Sequence, residues 1–271
     1  MLVSRSDRWR ERRRRFVDDS DPIDPRAYAV DIVEHRTARA FVAAHHYLPT
    51  WPAVQLAVGL HDDRRASRDR LVGVAVFAVP AIGAVIRRHA GLADAAAGTT
   101  LARFILLDDV PQNGESFFLA RAFRLLRREE PGIEAVVSYA DPAAGHVGQI
   151  YAAMSGAYRG QTARRGAYRI GATTIPGRTL SKVRLGERGA GAGIDRLVAL
   201  GAPRPGLGET PTAWLDRLAL DGTLARTARP GLHAYSFALT RRARAAARVL
   251  PCHPYPTLAA LLADRACSAG R

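Results

Sequence analysis

Cysteine, lysine and long apolar runs are what this chain has least of. Only Cys252 and Cys267 occur, both near the end and outside any metal-ligand spacing, which argues against a disulfide framework and a cysteine-based zinc site. No apolar run approaches the length needed to cross a bilayer, and the arginine-rich start is not followed by an apolar h-region. Neither a transmembrane helix nor a signal peptide is expected, so the chain reads as a soluble cytoplasmic protein with no membrane partner. Internal repeats are absent as well, which speaks against solenoids and propellers. Lysine is confined to Lys182, and acids are short: 25 Asp and Glu face 40 Lys and Arg, for a formal net charge of +15. Coding bias can exchange Lys for Arg but does not remove compensating acids. The imbalance points to a polyanionic partner, nucleic acid first; a merely basic soluble enzyme is the alternative.

What is present, 48% apolar residues in a chain of 271, suffices for one large core or a core with a small appendage. Residues 1–25 read as an arginine-rich, flexible arm. Its densest run, RWRERRRR, offers Arg12, Arg13 and Arg14 to phosphates and Trp9 for stacking, or is a solvated tail. Residues 28–33 predict a strand and 37–44 a short helix, after which HHYLPTWP turns the chain because two prolines end any helix. Residues 54–60 and 71–79 predict an antiparallel pair joined by the charged turn HDDRRASRDR, and the Ala- and Gly-rich residues 81–98 a surface insertion. The apolar runs 101–107 and 134–139 each give way to a Gly- or Pro-bearing turn and then to helical periodicity, a strand, helix, strand, helix unit. On the second of these helices Val147, Ile150, Tyr151, Met154 and Tyr158 fall at core spacing. Residues 163–170 predict a further strand, 186–193 (GERGAGAG) a flexible connector and 201–211 a second break. Helices near 194–200 and 212–220, a strand at 233–239 and a basic helix at 240–249 complete the chain.

Both turns of the central unit sit at strand carboxyl ends, the edge where open α/β sheets place ligands. The first gathers Val110, Asn113, Glu115 and Ser116; the second gathers Tyr139, Asp141 and His146. In VPQNGES, backbone N–H groups exposed at a helix N-terminus and loosened by Gly114 would suit a diphosphate. The same residues are equally a normal N-cap with an acidic first turn. The order of elements resembles the GCN5-related N-acyltransferase (GNAT) fold, an α/β (α+β) mixed sheet flanked by helices. In that fold strands four and five splay apart, and acyl-CoA lies in the gap with its pyrophosphate on the turn after strand four. The expected organisation is an acyltransferase-like core over 26–185 and a C-terminal extension over 186–271 that completes the sheet and adds basic helices.

Five strings, HHYLP, LARFILLDDVPQNGES, SYADPAAGHVGQIY followed by YRG, GRTLSK and LHAYSF, occur in this order over roughly residues 30–260. Together they resemble the Mom family of phage and prophage DNA-modification proteins, and the pairing of SYADP with GHxGxIY is the most specific of them. The resemblance implies an acyltransferase-like fold and conversion of adenine in DNA to an N6-methylcarbamoyl-type derivative that shields phage DNA from restriction. Two departures stand out. Gly114-Glu115-Ser116 replaces a frequent Ser-Glu-Ser at the cofactor turn, and His233-Ala234-Tyr235 replaces a basic His-Arg-Tyr motif.

Chemistry assigns candidate roles. The N6 lone pair of adenine is delocalised into the ring, so acyl-type transfer needs a group to take its proton and a dipole to steady the developing oxyanion. Asp141, at the end of the fifth strand, is the candidate base; before Pro142 it can equally cap the next helix. Tyr139 serves catalysis or core packing, and His146 contacts substrate or caps. His46 and Tyr47, on a Pro-bounded turn, would suit a base drawn out of the duplex, whereas Tyr47 and Trp51 would otherwise pack the loop on the core. Arg103, among apolar neighbours, needs a partner such as Asp141, Glu115 or a phosphate. Tyr151 joins Val110, Asn113, Gly114, Glu115 and Ser116 in the cofactor set, and His146, Trp51, Arg12, Arg13, Arg14, Lys182 and His233 form the substrate or DNA set. His45, His46, Asp141 and His146 could make a two-His, one-carboxylate metal site; spacing gives no support, no metal is assigned, and the resemblance leaves iron open.

The expectation is therefore an acyltransferase-like enzyme that modifies adenine N6 in double-stranded DNA, with acetyl-CoA or a related acyl-CoA as donor. Two alternatives stand beside it. One is an acyltransferase of the same fold that acts on a small molecule or uses aminoacyl-tRNA, and the other is a DNA-binding protein that keeps the fold without the chemistry.

Overall fold

The computed structural model describes residues 5–10, 13–18 and 22–257. Within the expected arm, β1 (Arg5–Arg10) and β2 (Arg13–Asp18) pair antiparallel. Arg12 lies outside the described residues, as do the side chains of Trp9, Arg13 and Arg14. The chain divides into two compact units, Met1–Thr162 with Leu232–Arg271, and Ala163–Gly231. The division thus falls at 162/163 and 231/232 rather than at 185/186, because the residues between have a core of their own.

The first unit is built on a seven-stranded sheet. Its strands in spatial order are β3 (Tyr28–Ile32), β4 (Val54–Asp62), β5 (Leu71–Ala78), β6 (Gly98–Leu106), β7 (Ala135–Ala140), β12 (His233–Ala238) and β8 (Ala157–Gln161). Neighbours are antiparallel except β6 and β7, which run parallel. β5 reads LVGVAVFA and is buried almost throughout, as a strand covered on both faces must be. On one face α1 (His35–His45) lays Ala38, Phe41 and Val42 against Ala57, Val74 and Val76. On the other, α3 (Gly114–Glu129) buries Phe117, Phe118, Leu119, Ala122, Phe123 and Leu126 at helical spacing against Val58, Leu60 and Phe77. Each large apolar side chain so buried contributes roughly 1.5–3 kcal/mol.

Three expectations need correction. Residues 81–98 are not a surface insertion: α2 (Ala84–Ala90) buries Ile86 and Ala90 against Ala135, Val137 and Ala243. Its alanines hid the period, and Gly98 makes room for Ile86, which a Cβ there would meet at 2.5 Å. The helix after Asp141 is short, α4 (Gln149–Ala153), and Tyr158 stands on β8 instead. Residues 165–170 leave the main sheet and form β9 (Arg165–Ile170) of the second unit.

In that second unit β9 lies between β10 (Thr173–Pro176) and β11 (Ala225–Arg229). The helices α5 (Gly177–Arg184), α6 (Ala190–Ala199) and α7 (Pro211–Leu220) supply Leu180, Val183, Leu197, Trp214, Leu215 and Leu218 to its core, with Ile170 and Ile175 from the strands. Residues 190–193 of the expected connector are already the first turn of α6. The last helix, α8 (Arg241–Arg248), belongs to the first unit. Among the described residues no helix is long and apolar enough to cross a membrane.

Candidate active site where two strands part

The parallel pair is brief. β6 and β7 are in register only from Gly98 opposite Ala135 to Leu101 opposite Ser138. Beyond that point β6 follows β5 as far as Leu106, and β7 follows β12. The sheet therefore parts at the carboxyl ends of both strands, and both candidate turns lie there.

At the first turn Asn113 takes a left-handed conformation, φ 62°, and opens α3, one of the few non-glycine residues that tolerates it. The Ser116 hydroxyl donates to the Asn113 carbonyl at 3.0 Å, and the Gly114 N–H bonds the Pro111 carbonyl at 3.2 Å. Gly114 is buried, and a Cβ on it would fall 2.5 Å from Cγ1 of Val110. The missing side chain thus makes room for Val110, itself buried. Glu115 is half-buried in the first turn of α3.

At the second turn the Asp141 carboxylate accepts the Ala143 N–H at 3.0 Å, and its carbonyl accepts from Ala144 and His146. The capping reading of Asp141 is therefore present in the structure. The glycines of GHVG follow from backbone and packing. Gly145 and Gly148 have φ of 90° and 83°, and a Cβ on Gly148 would strike the Tyr235 ring at 2.4 Å. The Tyr235 hydroxyl in turn donates to the Val147 carbonyl. From α4, Tyr151 packs on Tyr235 at 5.3 Å, with Ser138, where the strands part, beside its hydroxyl. Burial pushes the Tyr151 phenol up to about 12, so it is protonated at neutral pH.

The HHYLPTW loop joins the same place. Its Tyr47 ring lies 5.3 Å from the His146 ring and stacks on His46 at 4.5 Å. Burial drives the His146 imidazole down to about 4, against the opposing pull of Asp141, so it is neutral near pH 7. The His46 ring nitrogen accepts the Leu48 N–H at 2.9 Å. Arg103, 8% exposed, fixes this loop from below. Its guanidinium donates to the carbonyls of Leu48 (3.1 Å), Thr50 (2.6 Å) and Ala102 (2.6 Å) and to the Thr50 hydroxyl (2.9 Å). These acceptors, not Asp141 or Glu115, are the partners the structure gives it.

His46, Tyr47, Arg103, Asp141, His146 and Tyr151 thus converge from three separate stretches of chain. Tyr139, Trp51 and His233 of the same unit do not join them. Tyr139 points to the opposite face of β7, as alternation from Ser138 demands, and meets the buried His89 of α2 at 5.8 Å; burial raises its phenol to about 12. Trp51 packs on the α1 side of the core and meets His35 at 6.4 Å. His233, expected to touch DNA, is buried and paired with the Tyr158 hydroxyl at 2.8 Å. Lys182 lies on α5, in the second unit. Sequence reasoning missed Ser138, Gly148 and Tyr235; the glycine spacing in GHVG was the one available signal. Among the described residues no three His, Cys, Asp or Glu gather as a metal-ligand set.

The first unit is thus a mixed α/β sheet flanked by helices, with its parallel pair parting between two polar turns. The chain belongs to the Mom protein family, which matches residues 27–197. No curated protein matches it. Among solved structures it is similar to a ribosomal-protein-alanine N-acetyltransferase from Escherichia coli at 9% identity, over 79% of this chain and 94% of that one, with a TM-score of 0.38. It is also similar to a spermidine N-acetyltransferase from Vibrio cholerae at 8% identity, over 50% and 82%, with a TM-score of 0.35. A GNAT family N-acetyltransferase from Escherichia coli in complex with CoA shares 13% identity over 51% and 71%, with a TM-score of 0.31.

Proposed function

We propose that the chain is a DNA-modifying enzyme that transfers an acyl-type group to N6 of adenine, as the Mom resemblance implies, and so protects DNA from restriction. The observation that carries this reading is the convergence of the Tyr47 loop with Asp141, His146 and Tyr151 at the point where β6 and β7 separate. The stacked pair of Tyr47 and His46 offers an exposed aromatic face, Tyr47 being 36% exposed, against which an extruded base can lie. Asp141 stands next to that face as acceptor for the N6 proton, with the neutral His146 beside it. Tyr151 keeps its proton and can donate to the oxygen on which charge develops.

An acyl-CoA fits the parting of the strands: Ala102 to Leu106 of β6 have no β7 neighbour, and the turn from Val110 to Ser116 opens a helix beside them. When bound, the coenzyme supplies a thioester carbonyl and a thiol leaving group. The N6–carbon bond forms as the carbon–sulfur bond breaks, and Asp141 takes the single N6 proton, with the neutral His146 beside it to hold the acceptor in place. The basic charge of the chain supports a nucleic acid as carrier of the adenine.

Expression in a bacterial host, followed by mass spectrometry of digested genomic DNA, tests the proposal. A new modified deoxyadenosine and resistance to some restriction enzymes are expected. Unmodified DNA together with no detectable acyl-CoA binding by the purified protein would exclude it, and acylation of a small amine instead would favour the small-molecule reading.

A further inference from the structure

Three arginines on the outer face of α3 play no part in this site. Arg121, Arg124 and Arg128 are spaced three and four apart, one side of a helix, and span about 10 Å along its axis at 1.5 Å per residue. With Val30 of β3 and Leu125 they line an open groove. Arg124 and Arg128 are exposed and Arg121 half-buried. Among the described residues neither Arg121 nor Arg124 has a carboxylate partner, and Arg128 shares only the exposed Glu129 next to it, a pairing of little strength in water. Arg121 is held in place by its own helix, its guanidinium 3.6 Å from the Phe117 ring centroid. Burial and the neighbouring Arg124 both work against its charge, so the row is a set of like charges crowded along one groove. A folded chain gains nothing from such crowding unless an anion relieves it.

We propose that this groove binds the phosphodiester backbone of nucleic acid, with deoxyribose on the Val30 and Leu125 floor and phosphates on the guanidinium rim. The inference rests on the reading that the adenine is carried on DNA and adds a surface to it. The planar guanidinium fork matches phosphate oxygens, and the net charge of +15 selects a polyanion as occupant.

The test is equilibrium binding of the full chain to a random-sequence DNA duplex across a salt series, without acyl donor, comparing wild type with the double variant Arg124→Gln, Arg128→Gln. Both side chains are exposed, so the fold should be unaltered by circular dichroism. Loss of two phosphate contacts is expected to weaken affinity at least tenfold at low salt and to flatten the plot of log K against log salt by about 1.8. The Lys, Lys counterpart is expected to keep the slope. Unchanged affinity and slope in the Gln variant, with wild type bound, would overturn this inference alone. Wild type without salt-dependent affinity for duplex would overturn it together with the proposed function. A loss confined to poly-glutamate binding would assign the groove to an acidic protein and overturn it as well.

Discussion

Arg103 holds the Tyr47 loop through neutral acceptors alone, four contacts from one guanidinium. Lysine cannot reproduce the planar fork, so Arg103→Lys should leave at least one loop carbonyl unsatisfied. The expected loss is about 2 kcal/mol by urea denaturation, with a larger than tenfold fall in DNA modification because Tyr47 and His46 lose their fixed position. Asp141→Asn is the complementary case. The amide oxygen still accepts the Ala143 N–H, so the unfolding midpoint should hold, while activity falls by roughly 10²–10⁴ if the carboxylate takes the N6 proton. Activity within tenfold of wild type would remove Asp141 from that role. His146 adds a dependence on pH. It sits near 4 in the folded chain against 6.5 ordinarily, so below 6.5 the unfolded chain takes up a proton that the folded one refuses. Its contribution to stability is whole above pH 6.5 and drains away as the pH falls towards 4. Urea midpoints of His146→Gln should fall less than those of wild type across that window.

At the scale of elements, Gly148 ties α4 to β12. With φ of 83° and the Tyr235 ring where its Cβ would be, Gly148→Ala combines backbone strain with an overlap inside the core and is expected to destabilise by about 3 kcal/mol or more, read as lost soluble yield or a lowered melting temperature. The elements legible in the sequence were those with a clean period. β4 and β5 alternate or run apolar between charged turns, α3 shows Leu119, Ala122, Phe123 and Leu126 on one face, and β7 and β12 are short apolar runs. α2 was not legible because alanine carries too weak a hydrophobic contrast to mark a face. The length of α4 was overread because Tyr158 falls by coincidence on the helical period of Tyr151 and Met154, while Ser155, at φ 56°, and Gly156 break the helix between them. Asp141 and His146 were visible as polar residues at a strand end, and His46, Tyr47, Arg103 and Tyr151 as candidates on the loop, strand and helix around them. The side of β7 that Tyr139 faces and the true partners of Arg103 each depend on a residue distant in sequence, His89 and Thr50, and no local pattern reports such contacts; Val110 is only four residues from Gly114, but an irregular turn carries no period that would pair them.

At the scale of the molecule, residues 163–231 leave and re-enter the first unit through one doorway. The Thr162 N–H bonds the Leu232 carbonyl at 2.9 Å, and the Leu232 N–H bonds the Thr162 hydroxyl at 2.8 Å, so the two ends lie side by side. Excising 163–231 and joining the ends with a short Gly-Ser linker should therefore leave a chain that melts cooperatively, and the excised piece should fold with Trp214 shielded from a fluorescence quencher. A broad, non-cooperative melt of either would show that the units depend on each other. The same doorway sets an order of events at the ribosome. Among the described residues β8 pairs only with β12, yet the chain emits β8 first and must complete every residue of the insert before β12 appears. At bacterial or eukaryotic elongation rates that wait is roughly 4–14 s. Throughout it β7 presents an uncovered strand edge of the kind that recruits other nascent chains, so the newborn protein is most exposed to misassembly after its candidate catalytic residues have already been made.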